Sequence, residues 1–199
     1  MPSAPARPAP AGPAHARLRS ATDTAHAALD GALSTLDLSD PQGYAAFLAV
    51  HAAAQPPLEA ALTGGAAEAV SPRAALLADD LAGLGAPLPP PLPCAPLGRE
   101  ASWGVAYVLE GARLGARLLA ARAARAPDQR IAANRRYLSA PRRMGWAPFL
   151  AGLEAGLTTP AARDIAARAA LGAFVAFQRA YNALGCPVEA ARQPRKVGT

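Results

Sequence analysis

Lysine is almost absent from this 199-residue chain: Lys196 is the only one. Aromatic residues make up just 5%, and there are three histidines and two cysteines. Each shortage excludes something. Cys94 and Cys186 are far apart and match no metal or redox spacing, so a disulfide scaffold, a zinc module and a thiol relay are out, and a reduced cytoplasmic protein is expected. No Glu-x-x-His pair occurs, which excludes a di-iron carboxylate bundle. No apolar run approaches the ~20 residues of a membrane span. No dense basic block stands beside aromatics, as a nucleic-acid platform requires. In "MPSAPARPAPAGPAHA" prolines stand where a signal peptide has its apolar segment.

What is present points to helices. Hydrophobic residues reach 52%, mostly alanine, and alanine and leucine are strong helix formers. Period-two runs of β-branched and aromatic residues are missing. The expected fold is all-α, a single-domain multi-helix bundle large enough to bury a core. Residues 1–13 read as a disordered Pro/Ala-rich tail, 14–185 as the helical domain and 186–199 as a flexible tail. About seven helices are expected. The first carries an inner stripe of Leu18, Thr22, Ala25, Leu29 and Leu33. The second is capped by Asp40, opens with Pro41, contains Pro56 and Pro57 and stops at Gly64–Gly65. A Ser71–Pro72 start opens a shorter helix that closes at Gly85, and "APLPPPLPCAP" is a polyproline-like connector. A long helix spans about 97–124, "PDQRIAANRRYLS" forms one short helix, and Trp146, Phe149, Leu150 and Leu153 line another. The last opens at "TTPAARD". The net charge of +6, almost all arginine, favours anionic partners.

Two features carry chemistry. The long helix contains "GVAYVLEGARLGARLL", residues 104–119. An interior glycine costs a helix about 1 kcal/mol relative to alanine. Gly111 and Gly115 lie one turn apart on one face and leave it bare. Tight packing against another helix and contact with a flat ligand both explain that face; Arg113 is expected to point away from it. The second feature is histidine. His15 borders the tail and is expected to be exposed, and His51 lies one turn before the double proline. His26 is placed on the inner stripe of the first helix, beside Thr22 and Leu29. Arg19 precedes it by two turns on the same face, roughly 10 Å along the axis. An imidazole with a cation at that distance suits a flat metallocofactor with acidic edges, and haem fits.

These segments bring a family into view. "LRSATDTAH" at 18–26 resembles the proximal segment of haem oxygenases, and "AYVLEGARLG" at 106–115 resembles their distal-helix motif, in the bacterial, phytochrome-associated form. "HAAAQPPLEAAL", "RRYLSAPRRMGWAPFLAGLE" and "AFVAFQRAYNAL" are similar to further family segments in order, so the resemblance runs from Leu18 to Leu184. It implies a haem-oxygenase-like bundle with haem between a proximal and a distal helix. His26 would be the axial iron ligand, and Gly111 and Gly115 the distal glycines beside haem and dioxygen. Arg19 and Arg179 would serve the propionates, and Tyr107 the haem edge or the core.

The implied activity is oxidative cleavage of haem to biliverdin, carbon monoxide and ferrous iron. Haem is then both substrate and cofactor, with electrons from an acidic ferredoxin or flavodoxin and a bacterial phytochrome as candidate bilin acceptor. Two positions depart from the motif. Ala112 stands where some members carry a carboxylate, and Ala116 where a further glycine is common. A non-catalytic haem-binding or haem-sensing protein is the alternative.

Overall fold

The computed structural model describes residues 12–185, and among these it contains nine helices and no strand. Residues 1–11 of the tail expected over 1–13, and the tail expected over 186–199 with Cys186, lie outside the described residues. The helices are α1 (Pro13–Leu33), α2 (Pro41–Ala60), α3 (Gly64–Ala69), α4 (Ala74–Gly83), α5 (Arg99–Ala124), α6 (Gln129–Ala133), α7 (Arg136–Ser139), α8 (Trp146–Gly156) and α9 (Pro160–Ala183). Helix α9 is the common partner: it packs along α5, α1 and α2. No helix among the described residues is long and apolar enough to cross a membrane.

Local chemistry sets most boundaries. Asp40 caps α2 by accepting from the amides of Gln42 and Gly43, at 2.9 and 3.0 Å, and Pro41 fills the first turn. Thr159 caps α9 ahead of Pro160. Gly85, past the end of α4, takes φ +70°, a conformation that favours glycine. Helix α1 has no side-chain cap of its own. Its first amides are satisfied by α8 instead: Ala14 and His15 donate to the Glu154 carboxylate at 3.0 and 2.8 Å. Pro13, expected in the tail, is therefore the first residue of α1.

Pro56 and Pro57 sit inside α2 as expected. Proline has no amide proton, so Pro57 leaves the carbonyl of Ala53 without its helical donor. The amide of Leu92 takes that place, at 2.8 Å, and so holds the proline-rich connector against α2. Gly64 corrects the sequence expectation: it opens α3, with φ +58°, after α2 has ended at Ala60. The single helix expected over "PDQRIAANRRYLS" is two, because Asn134 leaves helical geometry between α6 and α7. Its carbonyl accepts the Tyr44 hydroxyl at 3.0 Å. Asp80 of α4, fully buried, accepts the amides of Arg136 and Tyr137 and fixes the start of α7.

Glycine does two different jobs in this bundle. A Cβ on Gly104 would strike the carbonyl of Ala166, so this glycine lets α5 and α9 approach. Gly152 and Gly156 of α8 make room for the Trp103 indole in the same way.

Candidate functional site

Helices α1 and α5 do not pack along each other; α9 packs against both, and two features relate them. Near their starts, the ring of His15 lies 5.8 Å from that of Tyr107. Further along, both line a cavity of about 700 Å³, α1 through Asp30 and Leu33, α5 through Leu119 and Arg122. Phe47 of α2 adds an aromatic wall. Arg19 and His26 lie between these places on α1, as Gly111 and Gly115 do on α5.

The faces agree with that placement. Gly111, Gly115, Leu119 and Arg122 recur at helical spacing on one side of α5, and His26, Asp30 and Leu33 on one side of α1. His26, Gly111 and Gly115 do not themselves line the cavity; residues further along the same sides of the two helices do, with the 34–39 loop between them. A Cβ on Gly111 or Gly115 would meet nothing within 4 Å. Tight helix packing, one of the two explanations for these glycines, is thereby excluded among the described residues; Gly104 is the packing glycine of α5.

His26 corrects the sequence expectation. Its side chain is 60% exposed, whereas Leu18, Thr22 and Leu29 are buried. The ring stands at the edge of the buried stripe, flanked by Phe174 of α9 at 5.8 Å between centroids. Its Nε2 lies 3.5 Å from Asp30 Oδ2, one turn on. Arg19 is within roughly 20° of it around the helix at 100° per residue, and is likewise exposed.

Arg19 also lies close enough to Tyr107 for its charge to oppose the upward push that burial gives the phenol. Tyr107 is half-buried against His15 and Trp146, so it belongs to an aromatic cluster at this end of the two helices. His15, expected to be exposed, is half-buried in that cluster, and its Nδ1 has no partner among the described residues. Arg179 is exposed on α9, and no contact brings it to His26.

Some buried groups escaped the sequence reading. Arg113 is 5% exposed, not outward-facing. It pairs with Glu110 at 3.1 Å and donates to the carbonyls of Ala140 and Pro141. His51 is buried among Phe47, Tyr137 and Phe177. Its Nδ1 lies 2.8 Å from the Phe47 carbonyl, and burial holds its pKa down to about 4. Beside it Tyr137 donates to Gln55 Oε1 at 2.7 Å, and Gln55 donates to Glu59 at 2.6 Å. The polar positions in "VHAAAQPPLEA" hold the only signal in sequence for this chain of bonds: Gln55 and Glu59 are one turn apart. Tyr137 is remote and could not be foreseen.

Among the described residues no three His, Cys, Asp or Glu side chains converge as a metal site. A metal already held by a tetrapyrrole would need one protein ligand, which the accessible His26 imidazole could supply. The residues fit such a group: an accessible imidazole on one helix, bare backbone on the other, and cations at Arg19 and Arg122. No family model matches this chain, and no curated protein sequence matches it significantly.

Proposed function

We propose that this protein binds haem between α1 and α5 and cleaves it, as a haem oxygenase, to biliverdin, carbon monoxide and ferrous iron. The observation that carries this reading is the uncovered backbone of Gly111 and Gly115, on a side of α5 that further along, at Leu119 and Arg122, borders a cavity also lined by Asp30 and Leu33 of α1. When bound, haem supplies both the redox chemistry and the ring that is opened.

The chain's own residues supply position. His26 offers a ligand nitrogen from a rigid helix, with Phe174 limiting the rotation of the ring. Gly111 and Gly115 allow close approach of backbone where any side chain would stand in the way. Arg19 gives a cation two turns from His26 for a propionate, and Arg122 a second cation further along the cavity. Arg179 completes the set through the resemblance alone. Ala116 does not stand on the bare face. It is buried on the other side of α5, so the glycine missing from the motif leaves the distal surface unaltered. Electrons come from an acidic ferredoxin- or flavodoxin-type donor, steered by the +6 net charge. A bacterial phytochrome is the proposed bilin acceptor.

Ala112 favours the second reading, a haem carrier or sensor, because no carboxylate follows Gly111 to order water beside the bare backbone. One experiment separates the two. The protein is titrated with haemin and followed by absorbance, then supplied in air with ascorbate or with ferredoxin and its reductase. A Soret band that His26→Ala removes, followed by a biliverdin spectrum, is the expected result. A lasting complex under both reductants selects the carrier or sensor. No Soret complex with the wild-type protein overturns both.

A further inference from the structure

On the far side of α5 from the bare glycines lies a second cavity, of about 740 Å³. Arg113 and Arg117 of α5 line it, with Arg73 from the start of α4 and Arg142 and Arg143 from the loop before α8. Leu138, Met144 and Trp146 supply apolar wall. Five arginines thus line one hollow, although the Arg143 guanidinium also donates to the Glu68 carbonyl of α3 at 2.9 Å.

The carboxylates do not balance them. Glu110, 3% exposed at its side chain, pairs with Arg113 at 3.1 Å and with Arg142 at 3.6 Å. The Glu59 carboxylate is engaged by the backbone amide of Arg73 and by Gln55. Among the described residues Arg117 and Arg143 pair with no carboxylate. Burial and the mutual repulsion of these arginines both weaken the hold of Arg113 and Arg142 on their protons. Like charges brought together in a partly enclosed space raise the energy of the protein, and an anion relieves it.

Arg73 is the most telling member. It is 3% exposed, with its guanidinium carbon 4.6 Å from the centre of the Tyr137 ring. Its Nη2 donates to the Leu109 carbonyl at a long 3.5 Å. Its Nε has no partner among the described residues. A buried charged donor left unsatisfied is costly, and arginine presents its donors as a planar fork suited to phosphate and carboxylate.

We propose that this arginine-lined cavity is a binding site for a small polyvalent oxyanion, of the phosphate or polycarboxylate class. It is separate from the α1–α5 site and does not depend on haem binding.

The test is calorimetric titration of the full chain at low ionic strength, with pyrophosphate in one arm and citrate in the other. Saturable binding of at least one probe is expected. Arg117→Ala, an exposed position that leaves the core intact, should weaken it about tenfold, the loss of one charge-assisted bond. Arg73→Lys keeps the charge but loses the fork, and should weaken it similarly; its fold is checked by circular dichroism, and Arg117→Ala decides alone if it does not fold. Arg168→Ala, exposed on α9, should change affinity less than twofold. Binding of pyrophosphate alone assigns the site to phosphates, binding of citrate alone to carboxylates, and either supports it. Failure of both probes overturns the proposal. So does an Arg168→Ala effect as large as that of Arg117→Ala, which would mean attraction to the net charge of the protein.

Discussion

His26 and Asp30 face each other one helical turn apart, Nε2 to Oδ2 at 3.5 Å, with both side chains more than half exposed. An exposed pair of this kind contributes about 0–1 kcal/mol, so the fold does not depend on this histidine. His26→Ala is therefore expected to shift the unfolding free energy by less than about 0.5 kcal/mol while abolishing the haemin Soret band. Urea denaturation and haemin titration on the same variant check both halves. Destabilisation well beyond that range would make the ring a structural element and remove it from the site.

His51 should behave in the opposite way. It is buried, and its folded pKa of about 4 lies below the ordinary 6.5. Between those values the unfolded chain binds the additional proton. Stability is full above pH 6.5 and falls as the pH drops toward 4, by about 3 kcal/mol from this group. Glu59 and Asp80, raised by burial, act in the other direction and do so in both proteins of a comparison. Urea denaturation of wild type and His51→Phe at pH 7.5 and pH 4.5 isolates the histidine. The variant should lose markedly less stability on acidification; equal losses would show that His51 does not titrate as a buried group.

The glycines of α5 separate into two kinds by experiment as they do by geometry. Gly104→Ala forces a methyl into the Ala166 carbonyl and is expected to destabilise the protein by more than about 2 kcal/mol. Gly111→Ala and Gly115→Ala meet open space, and each should stabilise the apoprotein by up to about 1 kcal/mol through helix propensity. The same two substitutions should weaken haemin binding or slow its turnover. Stabilisation with haemin behaviour unchanged would detach these glycines from the site.

Sequence revealed what local chemistry decides. The Asp40–Pro41 and Thr159–Pro160 starts and the turn at Gly85 were legible, because caps and positive φ depend on a few adjacent residues. The bareness of Gly111 and Gly115 was legible as a question, and the spacing left two explanations open until the surroundings of each glycine could be compared. The rest was decided by distant partners. Helical spacing allowed Arg113 to face outward, but the carbonyls of Ala140 and Pro141 and the carboxylate of Glu110 draw it in. His26 falls beside a buried stripe whose edge is set by α9, and His15 is covered because Tyr107 and Trp146 come over it. The break at Asn134 follows from Tyr44, ninety positions earlier in the chain.

The start of α1 couples the fold to the candidate site. Gly12 has no side chain to cap the helix, and Glu154 of α8 supplies the acceptor from 140 positions away. A carboxylate at a helix N-terminus satisfies free amides and complements the dipole. Glu154→Ala is expected to cost about 1–2 kcal/mol, and Glu154→Gln less, since the amide oxygen still accepts. Hydrogen exchange should localise the effect: the amides of Ala14 and His15 become faster, while those around His26 keep their protection. Because that first turn seats His15 against Tyr107 and leads into Arg19, haemin affinity should fall with His26 untouched. Loss of stability with exchange faster throughout α1 would instead make Glu154 a support of the whole helix, and the local coupling argued here would not hold.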